Sequence, residues 1–169
     1  MTKPDTSKPS SDKPNFIYVI YIASTAEKVF KALTDREMSK HYWSDNYVES
    51  TWAVGSTFTL RLARHEKEDI TGTVLEFDPP RRLAYTFHPH HDGLEKEGPS
   101  RVTFDLEQQK DQVKLTVVHD GFEAGSAVFP QISRGWPHVL SSLKSYVEAG
   151  KGIRAPWYDD AKQTAGAAR

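Results

Sequence analysis

The chain has 169 residues, 37% of them hydrophobic, with 22 basic side chains against 23 acidic ones and no cysteine. That length suits one domain with a real core, the mixed and balanced charge lacks the basic face that nucleic-acid binding needs, and the missing cysteine excludes disulfides, thiolate nucleophiles and thiolate metal sites. No apolar run reaches the roughly 18 residues of a membrane span and no signal-peptide core opens the chain, so no membrane insertion is expected and the cytoplasm is the simplest compartment.

Residues 1–14 are dominated by Lys, Pro, Ser, Asp and Thr, a composition that cannot offset the entropy of ordering and predicts a disordered tail. Order is expected from Asn15. The unbroken β-branched and aromatic run from Phe16 to Ile22 predicts a strand buried on both faces, with a central place in its sheet. Ser24 or Thr25 then caps a helix whose apolar stripe is Val29, Phe30 and Leu33. Thr34-Asp35 interrupts it, and a second short helix carries Met38, Tyr42 and Trp43.

From Asp45 to Asp120 the apolar period drops to two. Phe58-Leu60-Leu62, Thr73-Leu75-Phe77, Leu83-Tyr85-Phe87, Val102-Phe104-Leu106 and Val113-Leu115-Val117 each alternate with mostly polar residues. Turn signals separate them, among them Val54-Gly55-Ser56, Asp78-Pro79-Pro80-Arg81 and Gln109-Lys110-Asp111, and such short connections predict an antiparallel meander. One face of that sheet needs a cover. Ile132, Trp136, Val139, Leu140, Leu143, Tyr146 and Val147 supply it, falling within one helical stripe about 120° wide. Gly150 is the expected C-cap. Pro137 has no amide to donate, which predicts a helix that starts close to Ser133 or is kinked. Residues 152–169 read as an extension in which Trp157 and Tyr158 dock on the surface and the stretch from Gln163 is mobile.

A strand, two short helices, about six further antiparallel strands and a long C-terminal helix make an α+β helix-grip fold over residues 15–151. The chain resembles the START-like, or SRPBCC, superfamily, and within it the group similar to the C-terminal domain of the heat-shock-protein-90 ATPase activator. The residues that carry this are the run from Ile22 to Asp35, Tyr42-Trp43, Trp52-Ala53-Val54-Gly55, the run from Gly72 to Leu83, Ser100-Arg101-Val102-Thr103-Phe104, Leu115-Thr116-Val117-Val118-His119 and the helix from Gly135-Trp136 to Gly150. Two departures are mild: Thr25 stands where the family often has Pro, and Phe30 where it often has Trp. The resemblance is to single-domain members without the chaperone-contacting domain of the true activator, so co-chaperone function is not inherited by default.

The resemblance implies a cavity between sheet and long helix that takes a small hydrophobic molecule. The positions that would line it are Trp43, Phe58, Leu60, Tyr85, Phe87, Phe104, Trp136, Leu140 and Leu143. The same residues would serve equally as a filled core; Tyr85 and Trp136 favour a pocket, since each brings a polar atom that needs a partner when buried. His119-Asp120 sits at a strand end, but neighbours on a strand point to opposite faces and cannot easily bond each other, which argues for a structural role over an acid–base pair. His88-Pro89-His90-His91 has alternation that places His88 and His90 on one face, yet no second ligand cluster accompanies it, and it reads as surface histidines rather than a metal site. No Gly-rich phosphate loop, nucleophile elbow or paired acidic motif is present. The expected function is therefore non-catalytic binding of a small hydrophobic ligand, with no cofactor and no metal. The alternatives are a chaperone- or stress-linked interaction module with a protein partner, or a cyclase- or hydrolase-type enzyme, which would need a titratable residue inside the pocket.

Overall fold

The five period-two segments fold as β3 (Thr57–Leu62), β4 (Lys67–Asp78), β5 (Arg82–Pro89), β6 (Ser100–Gln109) and β7 (Gln112–Asp120), and a short strand that is not among them, β2 (Tyr47–Glu49), precedes them. Each pairs antiparallel with the next, as short connections require, and β1 (Phe16–Ile22) joins β7 to give the order β1-β7-β6-β5-β4-β3-β2. Helices α1 (Ala26–Thr34) and α2 (Arg36–Tyr42) follow β1, a 3₁₀ turn (Leu94–Lys96) lies between β5 and β6, and α3 (Val128–Ala149) covers the sheet. This is the helix-grip arrangement. The computed structural model describes residues 13–158; all but the last two residues of the expected N-terminal tail, and the extension past Tyr158, lie outside them.

Alternate strand residues, among them Leu60, Tyr85, Phe104 and Leu115, meet Trp136, Leu140 and Leu143 of α3 in one buried cluster. Burial of each such side chain contributes roughly 1.5–3 kcal/mol. The V-shaped pair of short helices is written into two caps. Thr25 Oγ1 accepts from the Lys28 amide at 3.2 Å, and Asp35 both ends α1 and starts α2 by accepting from the Met38 amide at 2.8 Å. Ahead of a bulge between Val74 and Glu76 the backbones of β4 and β5 close up, and a Cβ at Gly72 would lie 1.7 Å from the Thr86 carbonyl oxygen, so only glycine fits.

Two expectations are corrected. β1 is an edge strand, not a central one, and it alternates: Ile17, Val19 and Tyr21 are 64%, 45% and 45% exposed on the outer face while Tyr18, Ile20 and Ile22 pack inward. An unbroken apolar run mimics a doubly buried strand, and the sequence alone carries no sign that α3 covers only one face. The second correction is the start of α3, which begins at Val128 and spans about 33 Å at 1.5 Å per residue. Its first turn is capped from a distance. Ser126 Oγ accepts from the amides of Val128 and Phe129 (3.1 and 3.2 Å), and the Glu97 carboxylate takes the Ala127 amide and the Ser126 hydroxyl (2.5 and 2.7 Å). Pro130 falls in that first turn, where no amide is needed, and Pro137 is accommodated inside the helix. Gly150 ends the helix with φ of 79°, as expected of a left-handed C-cap. Among the described residues no helix is long and apolar enough to cross a membrane.

Candidate ligand-binding cavity

An unfilled cavity of about 120 Å³ lies between the middle of α3, the end of α2 and the end of β5. Trp43 comes from the C-cap of α2, Phe87 and Pro89 from β5, and Ile132, Gly135, Trp136 and Val139 from successive turns of α3. Trp136 packs edge-on against Trp43 (5.9 Å between ring centroids) and tilts over Phe87 (6.4 Å), geometries in which the electron-rich face of one ring meets the edge of another. Gly135 leaves space at this wall, since among the described residues nothing lies within 4 Å of where its Cβ would be.

The remaining expected residues divide. Tyr85, Phe104, Leu140 and Leu143 surround a second void of only about 10 Å³, which shares Trp43 and Trp136 with the first; this part of the interior is filled. Phe58 stacks on Tyr85 at 4.0 Å and Leu60 is buried beside it on β3; neither lines these two spaces. Burial pushes the Tyr85 hydroxyl well above its ordinary pKa, so it stays protonated.

Behind Trp136 a buried polar chain runs from helix to sheet. The indole N–H, which can only donate, donates to His119 Nδ1 at 3.0 Å. Nε2 of that ring must then carry the proton, and it meets Ser100 Oγ at 2.7 Å, whose own hydrogen goes to the Phe87 carbonyl at 3.2 Å. Every donor has an acceptor, and desolvation pushes the His119 pKa down to about 3, so the ring is neutral. Asp120 points to the opposite face and pairs with Arg101 at 2.8 Å, as strand alternation requires.

The cavity is not wholly apolar. His91, Gln131, His138 and Tyr158 also line it, and none of these was among the expected residues. His91 Nδ1 lies 2.8 Å from Asp69 Oδ1, on a carboxylate largely buried in β4. That hydrogen bond outweighs burial and raises the His91 pKa, with Asp69, Asp92 and Gln131 acting the same way. The other two histidines of the cluster, whose rings lie 4.8 Å apart on one face, turn to protein partners: His90 Nε2 to Thr71 Oγ1 at 2.6 Å and His88 Nε2 to the Glu95 carbonyl at 3.1 Å. Among the described residues no group of three His, Cys, Asp or Glu side chains is placed to hold a metal ion. The signal for His91 was Asp69, 22 residues earlier, and only the register of β4 on β5 brings them together.

Ala155, Trp157 and Tyr158 form part of the outer wall, carried by residues 151–158. Ser142 Oγ donates to the Ile153 carbonyl and accepts from the Ile153 amide (2.9 and 2.8 Å), the Ala155 amide donates to Ser44 Oγ at 2.9 Å, and Trp157 packs edge-on over His138 at 4.9 Å. Tyr158, largely buried beside Asp69, has its pKa pushed up to about 12, chiefly by desolvation.

The family model described as Activator of Hsp90 ATPase homolog 1-like protein matches residues 23–148. No curated protein matches the sequence. Among solved structures the chain is similar to the Aha1 dimer from Colwellia psychrerythraea, with 23% identity, TM-score 0.68, and 82% of this chain and 99% of that one covered. A protein from Mesorhizobium loti is similar at 23% identity and TM-score 0.67, over 78% of this chain and 95% of that one. An HSP90 activator from Plasmodium falciparum is similar at 20% identity and TM-score 0.61, over 72% and 86%. At these identities the likeness to the solved structures is one of fold.

Proposed function

The chain belongs to the Activator of Hsp90 ATPase homolog 1-like family, and we propose that it is a ligand-binding member whose cavity holds a small hydrophobic molecule without transforming it. One observation carries this reading: the interior beside Tyr85 and Leu143 is packed solid, yet about 120 Å³ next to it, walled by Trp43, Phe87 and Trp136, is left unfilled. Ligand sites are concave and mostly apolar with a few polar groups, and an aromatic-walled pocket of this kind favours an occupant. The test is saturable binding of an environment-sensitive apolar fluorophore. Gly135→Leu adds bulk at a lining residue where no described atom lies within 4 Å, so it should keep the fold, narrow the cavity and weaken binding at least tenfold, an effect of about 1.4 kcal/mol. Absence of saturable binding by any apolar probe, with no co-purifying small molecule in native mass spectrometry, overturns the reading.

A protein-interaction module is the second reading, favoured by the exposed row Ile17, Val19 and Tyr21 on an edge strand. Val19→Lys should then abolish capture of a partner while leaving fluorophore binding unchanged; capture that survives Val19→Lys removes β1 from the interaction.

A further inference from the structure

We infer that the Asp69–His91 pair is the polar end of this cavity and selects a single-ring aromatic molecule that bears a hydroxyl group; the inference rests on the ligand-binding reading above. Size sets the first limit. A space of about 120 Å³ compares with the roughly 150 Å³ apolar cavity that holds benzene, room for one ring within its walls. The walls set the second. Trp43, Phe87, Trp136 and Trp157 offer ring faces and edges, which a flat aromatic guest meets at better geometry than a branched aliphatic one does.

The hydroxyl follows from the charges. Asp69 takes Nδ1 of His91, so a polar guest shares Nε2 with the Gln131 side chain, which also lines the cavity and hydrogen-bonds the ring. When the ring is cationic Nε2 donates; when it is neutral, with its proton held toward Asp69, Nε2 accepts. A hydroxyl is both donor and acceptor and satisfies either state, whereas a carboxylate satisfies only the first. Among the described residues the ionisable groups about His91 are Asp69 on β4, Asp92 in its own loop, and His138 and Tyr158 across the cavity, and no Lys or Arg lines it. Two carboxylates beside the imidazole disfavour an anionic guest.

Calorimetric titration of the full chain at neutral pH with p-cresol, toluene and 4-methylbenzoate separates the possibilities. The expected result is p-cresol binding at least tenfold more tightly than toluene, with 4-methylbenzoate weakest. His91→Phe should bring p-cresol and toluene to within about twofold of each other while toluene binding persists; His91→Gln serves if that variant does not fold. Toluene and p-cresol binding equally to the unaltered chain overturns the hydroxyl site but leaves the cavity reading standing. Tightest binding of 4-methylbenzoate overturns the assigned ligand class. No binding of any of the three overturns the inference through its size and ring class; the cavity reading then falls only if the apolar fluorophore also fails to bind.

Discussion

His119 is a titratable side chain whose whole hydrogen-bonding capacity is spent on the fold. Its two nitrogens tie Trp136 of α3 to Ser100 of β6, and a ring held neutral with its pKa near 3 is not poised to exchange protons at neutral pH. A consequence for stability follows. Between pH 6.5 and about 3 the unfolded chain binds a proton at this position and the folded chain does not, so the stabilisation is complete above pH 6.5 and is lost as pH falls, by up to about 1.4 kcal/mol per unit. His119→Asn removes that dependence while the other titrating groups contribute equally to both proteins. Urea titrations at pH 7, 5.5 and 4.5 should show the stability gap between the two narrowing steadily as pH falls; a constant gap means that His119 charges inside the fold. At pH 7 the variant should be weaker by about 2–4 kcal/mol, because Asn cannot reach both the indole N–H and the Ser100 hydroxyl, and each buried orphan costs about 1–3 kcal/mol. That His119 and Asp120 part company was legible from alternation alone. The partners of His119 were not, because Trp136 and Ser100 lie 17 and 19 residues away and only the packed fold selects them.

At the scale of elements, α3 shows which signals are local. Its apolar stripe and its Gly150 stop were readable from spacing, since both depend on residues within a turn or two. Its start was not, because the cap is assembled from Ser126 and from Glu97, which reaches across from the β5–β6 connection. Glu97→Ala should therefore destabilise by about 1 kcal/mol, the usual worth of an N-cap, and lower the midpoint of a thermal melt by about 2–4 °C for a chain of this size. An unchanged melting temperature makes Ser126 sufficient by itself. Gly135→Ala, in contrast, should stabilise by up to about 1 kcal/mol, because alanine is the better helix former and its methyl meets nothing within 4 Å. β1 went astray for the same reason that α3 was half legible. Ile17, Val19 and Tyr21 are apolar whether or not a second layer covers them, and composition does not report the layer.

For the whole molecule, the order of elements was legible because each step is short, whereas the cavity depends on chain segments that meet only after folding: α2, β5, α3 and residues 155–158. The last of these follow directly on Gly152 and Ile153, which are tied to α3 and α2. Ser142 Oγ serves both the amide and the carbonyl of Ile153, and Gly152 lies so close to α2 that a Cβ there would come 1.9 Å from the His41 carbonyl oxygen. Ser142→Ala strips both Ile153 groups of their partner at a cost of about 1–3 kcal/mol, and the loss falls on the segment and not on the sheet. Trypsin should then cut after the exposed Arg154 at least tenfold faster than in the unaltered chain, while hydrogen exchange in β5, β6 and β7 stays the same. Because Trp157 and Tyr158 wall the cavity, a bound ligand stabilises the closed segment by RT ln(1 + [L]/Kd), which is about 2.7 kcal/mol at a hundredfold excess over Kd. A saturating apolar ligand should accordingly slow the cut after Arg154 in both proteins. Cleavage that ignores the ligand would separate the segment from the site, and the cavity would then be bounded by sheet and helix alone.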